Sequence, residues 1–126
     1  MPKKILIVED DENIANLLAI NIESLGYQTL IAYDGEIGWK LAKQERPDLV
    51  VQDIGLPRVD GITLCKLIKS GESTKQIRVI MLTGKTMVAD MEAAFSAGAD
   101  AYVNKPFNWD RLQAHIYKLI GPQQPA

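Results

Sequence analysis

The sequence predicts an α/β domain: a doubly wound, five-stranded parallel sheet with helices on both faces. Three observations predict it. Five short apolar runs, rich in β-branched residues, recur along the chain. A helical apolar pattern follows each of them. Glycine or proline punctuates most of the junctions.

Taken in order, Ile5 to Val8 is the first buried strand. Ile14, Leu17, Leu18, Ile22 and Leu25 then make an i, i+3, i+4 stripe, and Gly26 supplies a stop. Thr29 to Ala32 is the second strand, followed by a helix carrying Ile37 and Leu41 that ends near Pro47. Leu49 to Val51 is the third, and its helix carries Ile62, Leu64, Leu67 and Ile68 before Ser70 and Gly71. Val79 to Leu82 is the fourth, with Met87, Met91, Ala94 and Phe95 on the helix after it and Gly98 as its cap. Ala101 to Val103 is the fifth, and Trp109, Leu112, Ile116 and Leu119 belong to a last helix that stops at Gly121 and Pro122.

Composition bounds the function. A chain of 126 residues, 47% hydrophobic and 24% charged, is one ordinary globular domain. Residues 1–120 form it, and 121–126 read as a disordered tail or the start of a linker. A net charge of −2 with no basic stripe argues against direct nucleic-acid binding. The first apolar run is far too short for a signal peptide or a membrane span, so the cytoplasm is the default location. Cys65 is the single cysteine, which excludes an intrachain disulfide.

Sites in an open parallel sheet gather outside the carboxyl ends of the strands. Those ends carry Glu9, Asp10 and Asp11 after the first strand, Asp53 at the third, Thr83 at the fourth, and Asn104, Lys105 and Pro106 at the fifth. With strand order 2-1-3-4-5 and neighbours about 4.8 Å apart, Asp10, Asp11 and Asp53 converge, with Thr83 and Lys105 beside them. Carboxylates so close repel unless a cation lies between them, and an all-oxygen donor set favours magnesium. A carboxylate beside that ion can take a phosphoryl group, with lysine and threonine contacting its oxygens.

Four stretches then resemble one family in order and spacing: ILIVEDD at 5–11, PDLVVQDIGLPRVDG at 47–61, VIMLTG at 79–84 and AGADAYVNKPF at 97–107. The chain resembles, over essentially its whole length, the receiver domain of bacterial two-component response regulators, of the single-domain, chemotaxis-regulator-like kind. The resemblance implies a flavodoxin-like (βα)5 fold, with residues 1–120 as the receiver. It implies that Asp53 is the phosphoacceptor in a phosphorelay. Asp10 and Asp11 would hold Mg2+ with Asp53, one of them through water, and the Gly55 carbonyl would be a third protein ligand. Thr83 and Tyr102 would be the switch pair, and Lys105 would bond the phosphoryl group, aimed by a cis Lys105–Pro106 peptide. Implied partners are a sensor histidine kinase or histidine phosphotransfer protein, and a downstream target or second receiver on the face of the fourth helix, fifth strand and fifth helix. The chain would be a switch, catalysing only its own phosphotransfer and dephosphorylation.

Blander readings stand beside these. Asp10 or Asp11 alone reads equally well as a helix N-cap. Asp53 and Thr83 alone could end a strand or cap a helix, and Lys105 alone is a surface lysine. His115 lies off the apolar stripe and reads as solvent-facing; Cys65 reads as a packing residue, and Trp39 and Trp109 as core or boundary. Gln52, Gly55, Lys85 and Gly38 depart from the family's habit. Gln52 stands where an apolar residue is usual, so a buried amide there needs partners. Other functions compete. A phosphatase with an Asp-x-Asp nucleophile has Gly55 in place of its second aspartate, and a flavin module would meet the acidic run Glu9 to Glu12 where it needs a phosphate cradle. A receiver-like interaction module that is never phosphorylated is the remaining alternative.

Overall fold

The computed structural model describes residues 2–83, 88–104 and 108–123, with the backbone alone over 88–91. Strand and helix alternate throughout: β1 (Lys4–Val8), α1 (Glu12–Glu23), β2 (Gln28–Ala32), α2 (Gly35–Glu45), β3 (Leu49–Asp53), α3 (Gly61–Ser70), β4 (Arg78–Thr83), α4 (Val88–Ser96), β5 (Ala101–Asn104) and α5 (Trp109–Ile120). All strand pairs are parallel, in the order β2-β1-β3-β4-β5. The doubly wound fold and its strand order are therefore as the sequence predicts.

The three central strands, β1, β3 and β4, are buried on both faces, which is why their sequences run apolar instead of alternating. One core lies under α1 and α5 and contains Ile5, Ile7, Leu18, Ile22, Val51, Leu82, Leu112 and Ile116. The other lies under α2, α3 and α4 and contains Leu6, Val8, Val50, Leu64, Ile68, Val79, Met81 and Ala94. Strand side chains alternate between the two.

Aspartate or asparagine starts four of the helices. Asp11, Asp34, Asp60 and Asn108 each accept backbone N–H groups of the first turn of α1, α2, α3 and α5. Gly38, a costly residue inside a helix, has a packing reason. A Cβ there would meet the Val8 methyls at 3.0 and 3.1 Å and Leu64 Cδ2 at 3.3 Å, so its absence lets α2 lie close to β1 and α3.

Three stripe residues leave the expected core. Leu17 is 54% exposed, Phe95 51% and Ile37 41%. In α1 the buried face is Ala15, Leu18, Ala19 and Ile22, which turns Leu17 outward. Met87 and the Met91 side chain lie outside the described residues. Cys65 is buried, and burial pushes its thiol up to about 11. His115, Trp39 and Trp109 are half-buried, so His115 is less open than its sequence position suggests.

Candidate functional site

The carboxyl ends of β1, β3, β4 and β5 line one crevice, because those four strands are consecutive neighbours. β1 ends at Val8, and the Glu9 N–H continues its pairing by donating to the Ala32 carbonyl at 3.0 Å. Glu9 is only 1% exposed, Asp10 is exposed, and Asp53, the last residue of β3, is half-buried. One carboxylate oxygen from each of Glu9, Asp10 and Asp53 lies within 4.8 Å of the others. Among the described residues this is the one acidic, histidine or cysteine group that can converge on a single ion.

The acidic pair is thus shifted by one residue from the sequence expectation. Asp11 caps α1: its Oδ1 accepts the Asn13 N–H at 2.9 Å and the Ile14 N–H at 3.1 Å. Its own N–H donates to Glu9 Oε2 at 3.3 Å. The blander reading of Asp11 is the one the geometry carries. The signal for Glu9 was the strand end itself, since the first residue past a fully buried strand is the one that meets its neighbours' ends.

Of the other expected residues, Gly55 follows Asp53 in the chain, Thr83 ends the neighbouring strand β4, and Tyr102 lies within β5. The Gly55 N–H donates to Asp53 Oδ1 at 3.4 Å, so the backbone at 55 lies beside the carboxylate. A Cβ at Gly55 would meet nothing within 4 Å, so the space at this exposed position is open. Thr83 ends β4, is 2% exposed and pairs in register with Asn104. Asp53 pairs with Leu82, and the Ile54 N–H donates to the Leu82 carbonyl at 3.1 Å, so β3 and β4 run together to the crevice. Tyr102 pairs with Met81 two residues before that point, which puts Thr83 and Tyr102 on one face of the sheet. The Tyr102 ring lies 6.3 Å from the exposed Phe95 ring, tilted 31°. Lys105, Pro106 and Lys85 lie outside the described residues.

The loop from Ile54 to Asp60 is held from several sides. The Gly61 N–H donates to the Ile54 carbonyl at 2.8 Å, and the Gly35 N–H to the Pro57 carbonyl at 3.1 Å. A Cβ at Gly61 would collide with the Asp53 carbonyl and sit 2.7 Å from Ile54 Cα; one at Gly35 would collide with the Val59 carbonyl. Gln52 is fully buried, and its Nε2 donates to the Gly61 carbonyl at 2.6 Å. At the far end of the loop, the Thr63 N–H holds the Asp60 carboxyl below its usual range.

A buried carboxylate grouped with two others is unfavourable without positive charge between them. All the donors are oxygen, and none is thiolate or imidazole, so the set fits a hard divalent ion such as magnesium. A cavity of about 830 Å3 lies elsewhere, at the amino ends of β1 and β2. Lys4 pairs there with Glu45 at 3.2 Å and Thr29 with Glu23 at 2.5 Å, and the acidic cluster lies at the opposite ends of the strands.

Comparison with known proteins agrees with this geometry. The model of the response regulator receiver domain matches residues 5–117. Over 120 residues the chain is 42% identical to the DNA-binding dual master transcriptional regulator RpaA of Synechocystis sp., covering 95% of this chain and 49% of that protein. The chain therefore spans about half the length of that relative. It is 36% identical over 121 residues to the polar-differentiation response regulator DivK of Brucella anthropi, covering 96% of this chain and 98% of that one. The receiver domain of the Pseudomonas aeruginosa sensor histidine kinase PA1611, solved with a magnesium ion coordinated in its active-site cleft, superposes with a TM-score of 0.88 at 30% identity, covering 96% of this chain and 99% of that one. Among the described residues, no helix is long and apolar enough to cross a membrane.

Proposed function

The chain belongs to the response regulator receiver domain family, and from that premise we propose that it accepts a phosphoryl group on Asp53 and relays the change through α4, β5 and α5. The observation that carries the reading is the grouping of Glu9, Asp10 and Asp53 within 4.8 Å at adjacent strand ends.

Glu9, Asp10 and Asp53 would hold Mg2+ together with the Gly55 carbonyl, with Asp11 capping α1 beneath them. When bound, that ion offsets the negative charge on the phosphoryl oxygens. An Asp53 carboxylate oxygen forms a bond to phosphorus as the bond from phosphorus to the donor breaks. With a phosphohistidine donor, from a sensor histidine kinase or a phosphotransfer protein, the leaving imidazole carries away the electron pair and takes up a proton. The Thr83 hydroxyl and the Lys105 ammonium contact phosphoryl oxygens. Thr83 and Tyr102 share a sheet face, which supports a coupled movement of the two. Water attack on phosphorus then returns Asp53 and inorganic phosphate. A cytoplasmic place in a phosphorelay, with a protein target or second receiver on the Tyr102 face, completes the reading.

The test is incubation with Mg2+ and acetyl phosphate, followed by intact mass. One added phosphate is expected for the wild type and none for Asp53→Asn. A wild-type protein that gains no mass under these conditions refutes the reading.

A further inference from the structure

We propose that Gln52 is a positioning residue for the metal site: its side-chain amide fixes, through Gly61, the peptide that presents Gly55 beside Asp53. The starting point is a residue that stability does not explain. Gln52 is fully buried and sits in register between Val8 and Met81, on the apolar face under α2, α3 and α4. Burying an amide there is unfavourable unless every polar atom is satisfied. Here Oε1 has no hydrogen-bond partner among the described residues, while Nε2 reaches the Gly61 carbonyl at 2.6 Å and Met81 Sδ at 3.7 Å. An apolar side chain of the same shape would avoid the penalty.

The Nε2 contact lands where the loop is set. Gly61 accepts from Gln52 with its carbonyl and donates to the Ile54 carbonyl with its N–H. The Ile54 carbonyl belongs to the peptide that leads into Gly55, and the Gly55 N–H meets Asp53 Oδ1. Ile54 is tied on its other side to Leu82 of β4, next to Thr83. Gln52 therefore acts one step behind Asp53, on the orientation of the backbone that flanks it. An open Gly55 brings no side-chain packing of its own at that point, so the hydrogen bonds that hold Ile54, with Gln52 behind Gly61, set the backbone there.

The inference rests on the reading of this crevice as a magnesium site, and the experiment separates the two. Mg2+ binding is measured by calorimetry on the whole chain, wild type and Gln52→Met, beside thermal melts. Gln52→Met should melt at or above the wild-type temperature yet bind Mg2+ about tenfold more weakly, the lower end of what losing a ligand-orienting hydrogen bond does. At saturating Mg2+ its phosphorylation rate should return to within about twofold of wild type, because the loss is in binding. A folded Gln52→Met with wild-type Mg2+ affinity overturns the inference alone; a wild type that binds no Mg2+ overturns the site reading with it. The wild type offers a second measurement that needs no variant. The Gln52 side-chain NH2 resonances should shift during a Mg2+ titration with the same midpoint as the Asp53 amide, and their staying put overturns the inference.

Discussion

Asp100 holds three donors at the amino end of β5, far from the crevice. Its Oδ2 accepts Lys69 Nζ at 2.7 Å and the Val79 N–H at 2.8 Å, and its Oδ1 accepts Arg78 Nη1 at 3.2 Å. Lys69 also donates to the Ile77 carbonyl at 2.7 Å, so the group ties α3 to β4 and to the turn before β5. The contributions differ in kind. The backbone bond from Val79 is worth about 1 kcal/mol and the charged bond from the largely buried Lys69 about 1.5 kcal/mol. Arg78 is half-exposed and adds at most a few tenths of a kcal/mol. Asp100→Ala should therefore destabilise by about 2–3 kcal/mol, a fall in Tm of about 8–12 °C for a domain of this size.

The same group sets a pH dependence with a definite sign. Burial pushes the Asp100 carboxyl up, but the hydrogen bonds from Lys69 and Val79 and the Lys69 charge outweigh it, and the carboxyl is held below its ordinary value of 3.8. A depressed carboxyl stabilises above the unfolded value and loses that contribution as pH falls through the folded one. The gap between wild type and Asp100→Ala should be full at pH 7 and narrow below about pH 4. Urea melts at both ends of that range measure it. A cost under about 0.5 kcal/mol at pH 7 would place this group with ordinary surface ion pairs and refute the reasoning. Phosphorylation at 25 °C should be unaffected, since none of these residues reaches the crevice.

Two further predictions concern the site and its output. Glu9→Gln should weaken Mg2+ binding about tenfold or more, while Asp11→Ala should leave it within about threefold and lower stability by about 1 kcal/mol through the lost cap. Calorimetry and melts on both variants check this, and equal losses of Mg2+ affinity would return Asp11 to the ligand set. Tyr102→Ala should accept phosphate on Asp53 as the wild type does but lose phosphorylation-dependent binding to its protein target or to a second copy. Sedimentation or pull-down with and without acetyl phosphate reads this, and indistinguishable binding by the two proteins counts against the α4, β5 and α5 face.

Much of the fold was legible because each level of pattern pointed the same way. Apolar runs such as Ile5 to Val8 are too short for helices, and the stripes between them have helical spacing, so alternation and a parallel sheet follow. Periodicity names the residues that share a helix face but not how wide a face the sheet covers. That is why Leu17 and Phe95 read as core yet stand exposed. The acidic run was legible as a site, but choosing two of its members depends on the residue at which β1 stops and on which oxygen caps α1. Those are tertiary facts: Glu9 continues the pairing with β2, and Asp11 is drawn to the helix N–H groups.

The glycines around Asp53 show how one chain can hold a site tightly and leave it open. Gly61 and Gly35 have no space for a side chain, since each would drive a Cβ into a carbonyl of the segment that contains Asp53 or follows it. Gly55 has nothing within 4 Å of that position. The first two let the loop pack directly against its own strand and against the start of α2, where hydrogen bonds from Gly61 and Gly35 secure it. The third leaves the backbone two residues past Asp53 open to solvent. Close backbone packing and open space are opposite demands, and Gly61 and Gly55 meet them six residues apart. Gln52 supplies the remaining constraint from within the core. A positioning group on a buried strand is harder to displace than one on the loop itself.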